Sequence, residues 1–294
     1  MEFAIAFSVF LSICAAATPL LLAATGELVV ERSGVLNLGV EGMMVIGAVT
    51  AFGVAQLTGS AWLGALAAIG AGAAFSLLFG FLVLSLAANQ VATGLALTIL
   101  GLGLAGMLGE GFVGQPGIKM GHIAFGLDPI FFLSIAIVIG VSVFLFRTRA
   151  GLRLRSVGDS HSSAHALGIG VIRIRYLAVV FGGACAGLAG AHLSLVYVPQ
   201  WVEGMTAGRG WIALALVVFA SWRPWRVLVG AYLFGAVTLA QFHAQALGVG
   251  IPAQFLTSLP YLATILVLVL IASNRRLTMM NTPASLGQPF VADR

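Results

Sequence analysis

The stretch ERSGVLNLGVEGMMVIGAVTAF, residues 31–52, combines an apolar run typical of a membrane helix with two polar side chains near its start. Asn37 and Glu41 are four residues apart, a spacing that places two side chains on one face of a helix. A carboxylate inside a membrane span costs roughly 2.5–3.5 kcal/mol, so it is normally paired or faces water. Two interpretations are open. The pair hydrogen-bonds to a neighbouring span, with Asn89 or Gln90 as partner, or it lines a water-filled path.

The composition indicates that most of the chain lies in lipid. Of its 294 residues, 60% are hydrophobic and 8% are charged, whereas soluble domains carry about 25% charged residues. The chain also has 38 glycines, and small residues let membrane helices approach closely. These features predict an all-α, polytopic bundle of transmembrane helices. Cys14 and Cys185 lie in apolar runs and are predicted to be buried thiols, with no disulfide and no metal site.

Apolar stretches long enough to cross about 30 Å of hydrocarbon predict about nine spans, with a range of eight to ten. The weakest candidate is 205–222, where GMTAGRG precedes a short apolar core, so this segment is either a span or a re-entrant or broken helix. The N-terminal run has no basic region or cleavage site and is interpreted as a retained first span. The predicted spans are 3–25, 35–58, 61–88, 91–112, 130–146, 176–198, 205–222, 227–247 and 253–273.

The basic residues predict the orientation of the bundle, because short cytoplasmic loops collect Lys and Arg. A cytoplasmic loop at 147–175 and nine spans place the N-terminus outside and the C-terminus in the cytoplasm. Only Lys119 and Arg209 then face outside, so topology accounts for the net charge of +5 and no nucleic-acid partner is needed. The other basic residues are Arg32, Arg147, Arg149, Arg153, Arg155, Arg173, Arg175, Arg223, Arg226, Arg275, Arg276 and Arg294.

The longest polar segment between the spans is RTRAGLRLRSVGDSHSSAHALGIGVIRIR, residues 147–175. Within it, DSHSSAHALG predicts a short amphipathic helix, flanked by basic strands, at the membrane surface. Asp159 or Ser160 is the expected N-cap, and Gly168 is the expected C-terminal stop. The segment is either a solvated connection or a docking element that inserts into a groove of a cytoplasmic partner.

The side chains of this short helix have two further predicted roles. Ala164 and Leu167 are expected to supply its apolar contacts. His161 and His165 have a four-residue spacing that can bind zinc. No further ligand lies nearby in the sequence, so the two histidines are predicted to hold no metal.

Four segments of the chain carry a resemblance to a known family. The segments are ERSGVLNLGVEGMM, NQVATGLALTILGLGL, GLRLRSVGDSHSSAHALGIGVIRIRYLAVVFGGACAGLAGAHLSL and GRGWIALALVVFASWRPW. They resemble the permease subunits of bacterial ABC importers, in the ribose and branched-chain amino acid permease superfamily, over about residues 25–225. Within that superfamily the chain is similar to the shorter of two permeases in nucleoside-type importers, which work with binding proteins of the basic-membrane-protein kind.

The resemblance implies a set of partners in the bacterial inner membrane. They are a second, longer permease subunit, a cytoplasmic ABC ATPase that uses ATP–Mg, and an extracytoplasmic substrate-binding protein. The implied solute is a nucleoside or purine, with simple sugars, branched-chain amino acids and a flavin as alternatives. In such permeases the central cytoplasmic loop contacts the ATPase. The implied coupling residues are Gly158, Asp159, Ser160, Ala164, Leu167 and Gly168.

The chain carries no signal of an enzyme. Its only lysine is Lys119, so a GxxxxGK[ST] phosphate-binding loop is impossible and no cofactor is expected on this chain. No Ser/His/Asp constellation stands out either. A secondary transporter or channel is the alternative from another class. That class predicts inverted repeats with paired broken helices, and no such repeat is visible.

Several polar residues within the predicted spans are candidates for a solute path or its gate. Nucleobases and sugars need several hydrogen-bond partners, although polar side chains also join membrane helices to one another. The predicted position of Glu41 near the inner end of its span favours a structural or gating role over a mid-membrane solute site. The candidates are Asn37, Glu41, Asn89, Gln90, Thr93, Gln241 and Gln245.

Two further segments complete the predicted organisation. The run GGACAGLAG, residues 182–190, has small residues at four-residue spacing and predicts a close-packed helix face. Residues 1–273 are predicted to form a single transmembrane domain and residues 274–294 a cytoplasmic tail. The last part of that tail, TMMNTPASLGQPFVADR, is predicted to be disordered.

Overall fold

The computed structural model describes residues 2–246, 252–272 and 281–291, and these residues form helices and loops with no β-strand. The all-α prediction is therefore confirmed. Seven of the helices described are long and apolar enough to cross a membrane. They are α1 (Glu2–Arg32), α2 (Val40–Thr58), α3 (Ala61–Gly80), α4 (Gln90–Gly109), α5 (Pro129–Arg147), α8 (Val171–His192) and α10 (Pro224–Ala246). The others are α6 (Arg149–Asp159), α7 (His161–Ala166), α9 (Arg209–Phe219) and α11 (Ala253–Ala272).

Several helix starts follow directly from the sequence. In each case a side-chain oxygen of the N-cap residue accepts a hydrogen bond from the backbone N–H three residues further on. Each cap fixes the residue at which its helix begins and satisfies one of the free N–H groups there. The capping residues are Ser60 for α3, Asn89 for α4, Asp128 for α5, Thr148 for α6 and Ser160 for α7.

The predicted span at 205–222 is the clearest departure from the sequence-based count. Only 209–219 is helical, and at about 1.5 Å per residue α9 rises roughly 16 Å, about half of the hydrocarbon thickness. The chain before it is a loop in which Gly204 and Gly208 have left-handed backbone angles, so the helix begins late. Of the alternatives given for residues 205–222, a broken helix is therefore the one that the structure shows.

The prediction of about nine spans is not supported by the described residues, which contain seven candidate membrane helices. Besides the short α9, the difference concerns the predicted span 253–273. It coincides with α11, but several side chains of that helix lie outside the described residues.

The helix predicted at 35–58 also begins later than expected. Residues 33–39 form a non-helical connection in which Gly34 has a φ of +86°, and α2 starts at Val40. Asn37 therefore precedes the helix and does not share a helical face with Glu41. Similarly, the basic segment before α7 is the helix α6, where a strand-like flank was expected.

The core of the bundle is built around α2 and α8, which are mostly buried, whereas only about a third of the residues of α3, α4, α5 and α10 are buried. α8 packs closely on α1, α2 and α3. A Cβ atom on Gly187 would collide with the carbonyl oxygen of Ala68, so only glycine permits this approach. The predicted close-packed face at 182–190 is confirmed.

Candidate functional site

Glu41 holds the start of the short helix α9. Its carboxylate is 3% exposed, and its two oxygens accept hydrogen bonds from the backbone N–H groups of Gly208 (2.8 Å) and Gly210 (2.6 Å). Free N–H groups and the positive end of the helix dipole favour a carboxylate at this position. Because the two N–H groups flank Arg209, Glu41 also fixes the backbone that carries the Arg209 side chain.

The expected cluster of Glu41 with Asn89 or Gln90 does not form, because Glu41 is occupied by α9 and the other two residues have their own partners. Asn89 caps α4 by accepting from the Ala92 N–H. The Oε1 atom of Gln90 accepts from the Leu36 N–H at 2.7 Å, and its Nε2 donates to a tail carbonyl at 3.4 Å.

Asn37 is bonded to Glu27, a buried carboxylate of α1 that the sequence analysis did not identify. Its backbone N–H and its Nδ2 donate to the two oxygens of Glu27 at 3.2 and 3.5 Å, and its Oδ1 accepts from the Gly39 N–H. Asn37 and Glu27 thus brace the connection between α1 and α2. Glu27 lies in an otherwise apolar run, and that isolation is the signal that could have identified it.

A cavity of about 160 Å³ opens beside the start of α9, between α1, α9, α10 and α11. Gln241 of α10 lines the cavity and is 6% exposed. The Arg209 guanidinium also lines it and lies 5.4 Å from the centre of the Tyr197 ring. Gln245 is half-buried one turn further along α10 and is not a lining residue, and Thr93 is half-buried on α4.

At one end of the bundle, the end of α1 contacts the turn between α9 and α10. The Nε1 atom of Trp222 donates to the buried carboxylate of Glu31 at 2.6 Å. The Arg32 guanidinium donates to the Trp222 carbonyl through Nε (3.3 Å) and Nη2 (3.1 Å). Ser221 and Trp222 both have positive φ angles, so this turn is held in a conformation that most residues avoid.

The predicted short helix is present at the same end of the bundle. Ser160 is its N-cap, and Gly168 ends it with a φ of +76°. Ala164 is buried against Val157 and Val171, whereas Leu167 is 81% exposed. Of the two apolar side chains predicted to make contacts, Ala164 packs inside the protein and Leu167 is free to meet another molecule.

The tail was predicted to be disordered, yet residues 281–291 pack against this short helix. The ring of Phe290 lies 5.3 Å from the ring of His161 and 5.4 Å from that of His165. The Ser285 N–H donates to the Gly158 carbonyl at 2.9 Å. These hydrogen bonds and ring contacts hold residues 281–291 in place, so the prediction of disorder is wrong for this part of the tail. Residues 274–280 and 292–294 lie outside the described residues.

Arg175 joins the tail to the rest of this end of the bundle. It is 1% exposed and donates to the carbonyls of Ser33 (3.1 Å) and Gln288 (3.2 Å). Its Nη2 also donates to His161 Nδ1 at 3.4 Å. Burial and, secondly, the charge of Arg175 lower the pKa of His161 below its usual value of 6.5, which favours the neutral ring as acceptor.

A multi-helix membrane bundle with a half-length helix and buried polar groups inside it has the architecture of a solute transporter. Residues 9–273 match the family described as the permease component of branched-chain amino acid transport systems. The chain belongs to this family of ABC transporter permeases. It is a multi-pass integral membrane protein of the plasma membrane, and its relatives are permease subunits that are not enzymes themselves.

Three curated relatives cover most of the chain. A putative glucose ABC transporter permease of Haloferax volcanii is 42% identical, over 94% of each chain. A guanosine ABC transporter permease of Bacillus subtilis is 34% identical and a nucleoside ABC transporter permease of Lactococcus lactis is 33% identical. Both matches span 86% of this chain and 88% of the relative. No solved structure matches the chain.

Proposed function

We propose that the chain is one permease subunit of an ABC importer that moves a nucleoside or purine into the cytoplasm by alternating access. The observation that carries this proposal is the similarity over 86% of the chain to guanosine and nucleoside permeases. The cavity beside α9 supports it, because aromatic rings and the side-chain amide of Gln241 line it.

The proposed complex contains a second, longer permease, a cytoplasmic ABC ATPase that consumes ATP–Mg, and an extracytoplasmic substrate-binding protein. Residues 1–273 form the permease domain, and the loop at 147–175 meets the ATPase. Its contact element is the segment 158–168, in which Leu167 is the exposed apolar side chain. ATP binding closes the ATPase, and α7 transmits that movement to the spans.

The proposed orientation places the N-terminus outside and the end that carries α6, α7 and residues 281–291 in the cytoplasm. Its support is the grouping of basic residues at that end. Arg32 and Arg175 both bond to the tail there, and Arg147 leads into α6. The positive-inside rule assigns such an end to the cytoplasm.

Among the candidate path residues, Glu41 and Gln241 are proposed to act at the path itself. Glu41 acts by holding α9, and Gln241 acts through the cavity that it lines. Asn37, Asn89 and Gln90 are proposed to brace the connections around them, because their polar atoms are engaged by Glu27, α4 and the tail.

A simple sugar is the second candidate solute. The observation that favours it is the 42% identity to the putative glucose permease of Haloferax volcanii. The two candidates differ in their chemistry, because a nucleobase is a flat ring and a sugar is a polyol.

The test is solute-dependent ATP hydrolysis by the complete transporter in proteoliposomes. The chain would be purified with the subunits that its neighbouring genes encode, and the binding protein would be added with guanosine, adenine or glucose. Under the proposal guanosine or adenine stimulates hydrolysis and accumulates inside. Stimulation by glucose alone would establish the second candidate. A response to a peptide or an ion, with none to these solutes, would contradict both.

A further inference from the structure

We infer that the cavity between α1, α9, α10 and α11 contacts the solute in transit and accepts a flat ring whose edge carries hydrogen-bond acceptors, such as a nucleobase. This inference rests on the proposed function and extends it to particular side chains. The cavity measures about 160 Å³. Sites for drug-sized ligands measure about 300–1,000 Å³, so this one fits a single ring-sized group.

Arg209 is the charged residue of the cavity wall. Its Nη1 donates to the Met205 carbonyl at 2.9 Å, and its guanidinium rests on the Tyr197 ring. No carboxylate pairs with it within the described part of the chain. A half-buried guanidinium without a carboxylate partner keeps N–H donors available for a ligand. The remaining N–H groups of the guanidinium form a planar fork that suits two adjacent acceptors.

The backbone around Arg209 is held rigidly. Glu41 binds the N–H groups on both sides of it, and the Tyr261 hydroxyl donates to the Ala207 carbonyl at 2.8 Å. Glu41 is therefore a positioning residue, since it fixes the turn from which the Arg209 side chain extends. A rigid support of this kind is what a recognition site needs.

Gln241 supplies the second polar group. It is 6% exposed, it lines the cavity, and its side chain has no hydrogen-bond partner among the residues described. Its amide atoms are not among the fully buried polar atoms without a partner, so they are accessible to a ligand in the cavity. A side-chain amide both donates and accepts, as the edge of a purine does.

The rest of the wall selects the shape and polarity of the ligand. Tyr197, Phe242 and Tyr261 provide aromatic surface for stacking against a flat ring. The described lining residues include no carboxylate, and the Thr238 hydroxyl already donates to the Phe234 carbonyl. A sugar is a polyol without a flat aromatic ring, so it gains less from stacking on these rings. A purine presents ring nitrogens and a carbonyl that accept from Arg209 and Gln241.

The experiment compares matched substitutions in the complete transporter with radiolabelled guanosine and saturating binding protein. Gln241→Leu is expected to lower the amount of guanosine imported per ATP hydrolysed about tenfold, the effect of losing one hydrogen bond. Gln245→Leu is the control, because it makes the same change one turn away and outside the cavity. Arg209→Lys keeps the charge but loses the fork, and a similar reduction is expected.

Each outcome decides the inference. A variant counts as assembled when it co-purifies with the partner subunits and the complex keeps its basal ATPase rate, measured without solute. If Gln241→Leu fails this check, the smaller change Gln241→Asn replaces it. If Gln241→Leu and Arg209→Lys import guanosine as Gln245→Leu does, the site is wrong and the proposed function stands. If the wild-type complex imports glucose and no guanosine, both the ligand class inferred here and the proposed substrate fail.

Discussion

Glu41 shows how a single buried carboxylate is accommodated within a membrane protein. Its charge is offset by two backbone N–H groups at a helix start, and both oxygens are engaged. A buried charge is tolerated when hydrogen bonds and dipoles replace the water it has lost. In this chain the same bonds fix the backbone on both sides of Arg209, so one residue links stability to the candidate solute site.

Substitution of Glu41 is expected to release α9. In Glu41→Gln one oxygen becomes an NH₂ group that cannot accept, so one charge-assisted hydrogen bond is lost, at about 1.5–3 kcal/mol. We expect at least a tenfold loss of solute uptake together with a lower melting temperature of the purified complex.

The matched control for this substitution is Glu110→Gln, which changes an exposed carboxylate at the end of α4. It is expected to leave both uptake and melting temperature unchanged. Equal behaviour of the two variants would show that Glu41 does not hold α9.

At the residue scale, the sequence identified the residues that needed partners but not the partners. Asn37 and Glu41 are conspicuous in an apolar run, and each is buried and bonded as membrane energetics require. The groups that satisfy Glu41 lie 167 and 169 residues further along the chain. Such pairing depends on how the helices pack, which a local pattern does not contain.

At the element scale, the short helix α7 presents two apolar residues in opposite ways. Ala164 is buried against α6 and α8, and Leu167 points outward with 81% of its surface exposed. An exposed leucine at the tip of a short helix is suited to a groove on a partner. Substitutions at Ala164 and Leu167 can therefore test folding and docking independently.

Leu167→Asp is expected to weaken the binding of the ATPase subunit about tenfold without changing the melting temperature of the permease, because it removes one docking side chain. Ala164→Asp places a charge in a packed site and is expected to lower the melting temperature. The measurements are co-purification of the ATPase and thermal unfolding in detergent. Unchanged ATPase binding in Leu167→Asp would exclude α7 as the docking element.

The tail is the second element whose contacts permit a specific test. Phe290→Ala removes ring contacts to His161 and His165, worth about 0.5–1.5 kcal/mol each. We expect faster hydrogen exchange at residues 281–291 and less import per ATP hydrolysed. Val291→Ala is the control, since Val291 is 71% exposed. If the two variants exchange alike, the Phe290 contacts do not hold the tail.

Long helices were predictable because their length and hydropathy are local properties. α4 and α5 begin and end within three residues of the predicted spans 91–112 and 130–146. α9 was overestimated because apolar residues within 205–222 also flank it on both sides, among them Met205 and the buried Trp222. The packed tail was not predictable, since its polar, glycine- and proline-containing sequence gives no periodic signal and its stability comes from distant helices.

At the scale of the whole molecule, one end of the bundle brings together the end of α1, the α9–α10 turn, α7 and the tail. Arg32 and Arg175 connect these parts by donating to backbone carbonyls of Ser33 just after α1, of the α9–α10 turn and of the tail. Because Arg175 also bonds to His161, hydrogen bonds join α7 to the residues after α1 and, through the tail and Arg32, to the turn after α9. Under the proposed function, this shared end connects the ATPase contact at α7 with the helix that Glu41 holds.

The packing of this end is expected to depend on pH through His161. Its pKa is lowered in the folded protein by burial and by Arg175, so the folded state resists protonation more than the unfolded state does. The associated stability is complete above about pH 6.5 and is lost as the pH falls below that value. The protection of the amides of residues 281–291 against hydrogen exchange, measured relative to the intrinsic exchange rate at each pH, should therefore fall between pH 7.5 and 5.5. The substitution His161→Gln should flatten this pH dependence. If the variant shows the same pH dependence as the wild type, His161 is not the group responsible.

The central claim is that this permease moves solute only with energy supplied by a separate ATPase. The most direct measurement is guanosine uptake against a gradient in liposomes that contain the chain alone or the complete complex, with ATP supplied at the cytoplasmic face. The account predicts accumulation by the complete complex and only equilibration, or no uptake, by the chain alone. Uphill accumulation by the chain alone, driven by an ion gradient, would contradict it.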